Sequence, residues 1–135
     1  MLNILIADDQ AIYRETLRAI LQPYGTCVTV ENGAQAVQAF REAMAANNPF
    51  RLVLLDIQMP HMDGQEALLQ IRQLEKQKYG PSLSMREYAY VLMQTSLDDP
   101  AQLATAFKKG HCNGYIVKPV NQDELLERLK KYHLI

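Results

Sequence analysis

The stretch that most constrains the fold is Leu52-Val53-Leu54-Leu55-Asp56, followed at once by a loop carrying Pro60, Asp63 and Gly64. Consecutive apolar residues leave no alternation for a sheet with one wet face. A short run of this kind, bounded by turn residues, suits a parallel strand buried on both sides. The carboxylate at its C-terminal end then leaves the sheet at the edge where open α/β folds place their ligands. Taken singly, Asp56 would serve equally well as a loop former or helix cap, so the residues that reach the same edge decide its meaning.

The same pattern recurs along the chain. Residues 2–7 read as a first buried strand that stops at Asp8-Asp9, and residues 27–31 as a second. Residues 88–93 read as a fourth strand leading to Gln94-Thr95-Ser96, and residues 114–117 as a fifth that ends at Lys118-Pro119. Between them, apolar residues recur every three or four positions, the period of an amphipathic helix. The stripes are Tyr13, Leu17, Ile20, Leu21 and Tyr24; Ala36, Val37, Phe40, Ala43 and Met44; Ala67, Leu68, Ile71 and Leu74; Leu103, Ala104 and Phe107; and Leu125, Leu126, Leu129 and Tyr132. Pro23 and Gly25 close the first helix, and a helix from about Pro100 has Gly110 as its stop. Asn121 with Glu124 reads as a capping box opening the last. Residues 75–87, polar and interrupted by Gly80-Pro81, read as a longer surface connection, an extension of the third helix passing into a loop.

Strict alternation of strand and helix predicts one α/β domain over residues 1–135. Its architecture is a doubly wound, five-stranded parallel sheet with helices on both faces. Every strand C-terminus then shares one rim. Asp8 and Asp9, Asp56, Thr95 and Ser96, and Lys118 therefore meet there although they are far apart in sequence. Two carboxylates ~4 Å apart repel by about 4 kcal/mol at an effective dielectric of roughly 20. Such a cluster must protonate an acid or hold a cation, and oxygen donors favour Mg²⁺. Lys118 adds a positive charge and Thr95 a hydroxyl donor. An acid nucleophile, a metal site, a donor and a lysine together suit phosphoryl transfer to a carboxylate.

Charge and cysteine content exclude other classes. Lys and Arg total 14 against 15 Asp and Glu, a formal charge of −1, so no electrostatic footprint for nucleic acid or an anionic membrane exists. Two distant cysteines, Cys27 and Cys112, and histidines without ligand spacing suggest neither a disulfide framework nor a zinc site. No apolar run approaches the roughly 20 residues that span a bilayer, and no signal-type leader follows Met1. The expectation is a soluble, cytoplasmic protein.

These motifs resemble the receiver domain of bacterial two-component response regulators, the flavodoxin-like fold of the chemotaxis response regulator with strand order 2-1-3-4-5. The matching stretches are Ile4-Leu5-Ile6-Ala7-Asp8-Asp9, the run from Leu54 to Gly64, Met93-Gln94-Thr95-Ser96, and Gly114-Tyr115-Ile116-Val117-Lys118-Pro119. Four stretches in the right order cover essentially the whole chain. The resemblance implies that Asp56 accepts a phosphoryl group from a phosphohistidine on a histidine kinase or histidine phosphotransfer protein. It implies Mg²⁺ (or Mn²⁺) on Asp9, Asp56 and the Gln58 main-chain carbonyl, with Asp8 acting mainly through water. Thr95 and Lys118 would contact the phosphoryl oxygens, and the Lys118-Pro119 bond would be cis. Tyr115 matches the aromatic residue that turns inward as the threonine moves. Output would pass through the helix after Pro100, the fifth strand and the last helix to a downstream protein, a phosphorylation-dependent dimer being one form it takes.

Two features depart from the family pattern. Thr95 lies 39 positions after Asp56, a longer interval than usual, and the excess falls in residues 75–87, outside the site. Gln58 and Leu97 occupy the positions that flank the hydrolytic water in the family; leucine cannot hydrogen-bond that water, which predicts slow self-dephosphorylation. Other classes remain open at this point. A phosphohydrolase of the haloacid-dehalogenase type would need Asp-x-Asp after the first strand, where the chain has Asp8-Asp9-Gln10. A flavodoxin-like cofactor binder would need a phosphate loop where the acids stand. A receiver-like module that signals without phosphorylation would have no use for the acids, hydroxyl and lysine together. No output domain is expected after the last helix, which leaves both a stand-alone receiver and one cut from a larger protein open.

Overall fold

A computed structural model describes residues 2–80, 88–96 and 112–135. Five strands form one parallel sheet in the order β2-β1-β3-β4-β5. They are β1 (Leu2–Ala7), β2 (Gly25–Val30), β3 (Leu52–Asp56), β4 (Tyr90–Thr95) and β5 (Gly114–Val117). Among the described residues the helices are α1 (Ala11–Leu21), α2 (Gly33–Ala45), α3 (Gly64–Tyr79) and α4 (Gln122–Lys131), with a 3₁₀ turn at Gln22–Tyr24. The helix expected from about Pro100, and with it Leu97, lies outside the described residues.

β3 is central and every one of its residues is buried, as its unbroken apolar run requires. Alternate strand residues point to opposite faces. Leu5, Val53, Leu55, Val91 and Met93 therefore pack under α2 and α3, against Phe40, Leu68 and Ile71. Ile4, Ile6, Leu52, Leu54, Leu92 and Ile116 face α1 and α4, meeting Leu17, Leu21, Leu125 and Leu129. The helix starts are set by short polar side chains. Asn32 Oδ1 accepts the Gln35 amide at 2.8 Å, Asp63 Oδ1 that of Glu66 at 2.9 Å, and Asn121 Oδ1 that of Glu124 at 3.0 Å. Each such cap satisfies a backbone donor the helix leaves open and contributes about 1 kcal/mol.

Three expectations shift. β4 begins two residues later than the sequence suggested and runs through Thr95, because Asp56 and Val117 supply partners for Gln94 and Thr95. β2 begins at Gly25 rather than at Cys27, paired from Leu2 onward. The third concerns residues 75–87: the expected extension of the third helix is present, α3 running to Tyr79, but Glu75 is fully buried instead of lying on a surface connection. Its carboxylate accepts from Arg72 at 2.7 Å and from the Ala89 amide, while Arg72 also reaches the Ala89 carbonyl at 2.9 Å and Asn113 Oδ1 at 2.9 Å. Burial raises the Glu75 carboxyl, and the Arg72 charge opposes that rise. This buried clasp ties α3 to the starts of β4 and β5. Residues 81–87 lie outside the described part.

Candidate functional site

The face that builds the α1/α4 core continues past the strand ends as polar side chains. Ile4 and Ile6 are followed in alternation by Asp8, Leu52 and Leu54 by Asp56, Leu92 by Gln94, and Ile116 by Lys118. Parallel register sets them side by side, since Ala7 pairs with Leu55, Asp56 with Gln94, and Gln94 with Ile116. The chain leaving each strand is tied to its neighbour: the Ile57 amide donates to the Gln94 carbonyl at 3.1 Å and the Lys118 amide to the Thr95 carbonyl at 2.8 Å. The peptide bond between Lys118 and Pro119 is cis.

The loop after Asp56 folds back on itself. The Gly64 amide donates to the Ile57 carbonyl at 2.8 Å, and a Cβ at Gly64 would stand 2.1 Å from the Asp56 carbonyl oxygen. Only glycine permits that closure, which places the start of α3 directly against the back of Asp56. His61, exposed in the loop, adopts a positive φ of 68°.

Asp8 and Asp56 are buried and Asp9 is exposed, and one oxygen from each lies within 4.8 Å of the others. The Lys118 ammonium bridges the two buried acids, 2.9 Å from Asp8 Oδ2 and 3.2 Å from Asp56 Oδ2. Burial pushes the Asp56 carboxyl up to about 6; the Asp8 charge adds to the rise, Lys118 opposes it, and Asp9 adds a smaller increment. Burial by itself would lower the Lys118 amine, but the carboxylates of Asp8 and Asp56 outweigh it and hold the amine above its ordinary value. The hard oxygen donors of Asp8, Asp9 and Asp56, with their excess of negative charge over Lys118 among the described residues, make this a fitting site for a divalent cation of the Mg²⁺ type.

Above the acids lies a cavity of about 750 Å³ bordered by residues of four loops, among them Gln58, Thr95 and Lys118. Thr95 is buried and its hydroxyl donates to the Ser96 carbonyl at 3.0 Å. Tyr115, half-buried on β5, packs toward the α2/α3 core, with the Arg128 guanidinium 5.9 Å from its ring centroid and Arg128 donating to its carbonyl. Asp8, Asp9, Asp56, Thr95 and Lys118 thus meet at the rim where the strand assignment puts them, Gln58 borders the cavity from the loop after β3, and Tyr115 stands outside the cavity lining on β5.

Two cavity residues were not singled out from sequence. Gln94 is 1% exposed, yet its side-chain Nε2 has no hydrogen-bond partner among the described residues. The signal was a lone amide in an otherwise apolar strand, one position before Thr95. Tyr13 reads as a member of the apolar stripe of α1, but its ring lies 4.3 Å from Lys118 Nζ and borders the cavity.

A buried, proton-hungry aspartate beside two further acids and a lysine, at the C-terminal rim of a doubly wound sheet, defines an acid-pocket signalling domain of the receiver type. Residues 4–130 match the model of the response regulator receiver domain, and the chain belongs to that family. It is 35% identical to the chemotaxis protein CheY of Bacillus subtilis over 131 residues, covering 96% of this chain and 95% of the relative. Among solved structures it resembles Vibrio cholerae chemotaxis protein CheY4, with a TM-score of 0.75, 27% identity, and coverage of 97% of this chain and 98% of that one. It also resembles a chain in the co-crystal structure of the Saccharomyces cerevisiae histidine phosphotransfer signaling protein Ypd1 and the receiver domain of Ssk1. There the TM-score is 0.78 at 27% identity, covering 97% of this chain and 88% of that one. Among the described residues no helix is long and apolar enough to cross a membrane.

Proposed function

We propose that this receiver domain is a phosphoacceptor switch in which Asp56 takes a phosphoryl group from a phosphohistidine of a histidine kinase or histidine phosphotransfer protein. The observation that carries the reading is the Lys118 ammonium bridging Asp8 and Asp56 inside a cluster of three acids. The nucleophile is an Asp56 carboxylate oxygen. It attacks phosphorus, the P–N bond to the donor imidazole breaks, and the electron pair leaves with that nitrogen, giving an acyl phosphate on Asp56 and a free histidine. Asp9, Asp56 and the Gln58 main-chain carbonyl would hold Mg²⁺ or Mn²⁺, with Asp8 mainly through water; the cation supplies charge that offsets the transferring phosphoryl oxygens.

Lys118 exchanges a carboxylate contact for a phosphoryl oxygen, so its charge stays compensated throughout. The Thr95 hydroxyl turns from the Ser96 carbonyl to donate to another phosphoryl oxygen. That movement vacates space into which Tyr115 can turn, coupling the pocket to the β5 surface and a downstream protein by a shift between two states. The domain acts only on itself. A phosphohydrolase cycle would need an acid two positions beyond the nucleophile, and Gln58 stands there. Leucine at position 97 supports a slow loss of the phosphoryl group.

The test is intact-mass measurement after incubation with acetyl phosphate or a phosphohistidine donor, with and without Mg²⁺. One phosphoryl group gained in Mg²⁺ and absent from Asp56→Asn is the expected result. No gain from either donor, in protein that binds Mg²⁺, would overturn the reading in favour of a phosphorylation-independent module.

A further inference from the structure

Lys118 must hold an outstretched, rotamer-rich side chain over two acids while remaining free to move to a phosphoryl oxygen. An ammonium has three N–H donors. Asp8 at 2.9 Å and Asp56 at 3.2 Å take up two of its contacts. The Tyr13 ring centroid lies 4.3 Å from the same nitrogen, well inside the ~6 Å over which a ring face attracts a cation. The Lys118 side chain is 13% exposed, so this attraction acts with little competition from water.

The ring is itself held in place. Asp8 Oδ1 accepts the Gln10 amide at 2.9 Å, and the Asp8 carbonyl accepts from Arg14 Nη1 at 2.9 Å. The Gln10 carbonyl accepts the Tyr13 amide at 3.1 Å. The first turn of α1 is therefore fastened to the very acid that Lys118 touches, and Tyr13 comes with it. On the other side, the Lys118 backbone is fixed by its bond to the Thr95 carbonyl at 2.8 Å. The ammonium thus has anchored groups around it, two charged and one aromatic.

We propose that Tyr13 is a positioning residue for the phosphoacceptor reaction, its ring face holding the Lys118 ammonium over Asp8 and Asp56 so that the lysine meets an incoming phosphoryl oxygen already ordered. The inference rests on the phosphoacceptor reading. The neutral ring suits this task better than a third acid, because it steadies the ammonium without adding a charge that would repel the phosphoryl group. It contributes through its face, so the hydroxyl is dispensable.

The test compares full-length wild type, Tyr13→Phe and Tyr13→Leu. Labelling with acetyl phosphate in Mg²⁺, followed by intact mass, avoids any partner that α1 might touch. Loss of the ring face should slow labelling of Tyr13→Leu by about two- to fivefold, and Tyr13→Phe should recover most of that loss. Proton NMR supplies a readout that mere packing would not move. Ring-current shielding shifts the Lys118 Hε resonances upfield in wild type and Tyr13→Phe, and the shift disappears in Tyr13→Leu. Tyr13→Leu labelling at the wild-type rate, Tyr13→Phe as slow as Tyr13→Leu, or unshifted Hε resonances in wild type would each overturn the proposal. Absence of labelling in wild type from acetyl phosphate and from a phosphohistidine donor alike would instead refute the phosphoacceptor reading, with the NMR comparison still deciding whether the ring holds the ammonium.

Discussion

Asp56→Asn should make the divalent-free protein more stable at pH 7, even though it removes the proposed phosphoacceptor. Asp56 is buried and carries its charge beside Asp8, which lifts its carboxyl from 3.8 to about 6 in spite of Lys118. The folded protein therefore binds this proton more tightly than the unfolded chain does. Between pH 3.8 and about 6 the native state carries more protons, so stability falls as pH rises through that window and stays low above it. A rise of about two pKa units corresponds to ~3 kcal/mol of penalty on the ionised form at neutral pH. Asparagine keeps the shape and removes the charge, and Asp8 remains to pair with Lys118. Urea unfolding in EDTA at pH 7 should thus place Asp56→Asn above wild type by roughly 1–3 kcal/mol. The gap should close as pH falls toward 4, where wild type is protonated, and millimolar Mg²⁺ should narrow it at pH 7 by stabilising the wild-type carboxylate. Equal or lower stability of Asp56→Asn at pH 7 in EDTA would show that Lys118 more than compensates the buried charge, and the electrostatic account of the pocket would fail.

Two further outcomes follow from buried polar groups. Arg72→Ala strands the fully buried Glu75 carboxylate and should cost about 3–5 kcal/mol in urea unfolding; a loss within ~1 kcal/mol would mean the clasp behaves as a surface pair. Gln94→Met removes the amide nitrogen that has no partner among the described residues while conserving volume, and should raise stability by about 1 kcal/mol. A fall of that size would show that the amide is satisfied, for instance by buried water.

The positions of the acids were legible because backbone topology alone determines them. Parallel strands in a doubly wound sheet end on one rim, so Asp8, Asp56 and Lys118 had to approach whatever their side-chain details. The structure adds the face: residues that continue Ile4-Ile6, Leu52-Leu54 and Ile116 toward the strand ends fall on the same side as the α1/α4 core. Periodicity, however, reports only which way a side chain points. It marked Tyr13 as inward without revealing that the atom it meets is an ammonium. It gave Gln94 no role, because an amide within an apolar run has no periodic signature. The apolar stripe of the third helix stopped at Leu74 and Glu75 was read as surface for a related reason: Glu75 occupies an inward position, and a charge there reads as the end of the stripe unless its partner is known.

Arg72 is that partner, three residues earlier on the same helix, yet the pair acquires its meaning only through the Ala89 amide and carbonyl and through Asn113, which come from two other segments. A buried charge is tolerable once every one of its hydrogen-bonding valences is met, and those valences are supplied non-locally. The same reasoning separates the two charged centres of this molecule. In the Arg72–Glu75 clasp, acid and base are paired and reach further partners in the Ala89 backbone and the Asn113 side chain, so the centre is closed and acts as structure. At the strand-end rim, among the described residues, one lysine faces three acids and the Gln94 side-chain nitrogen has no partner. That surplus of negative charge and the unmet amide give the rim a capacity for ligands that the clasp does not have. It is the incompleteness of the rim, more than the identity of any single aspartate, that supports the proposal of phosphate and metal binding there.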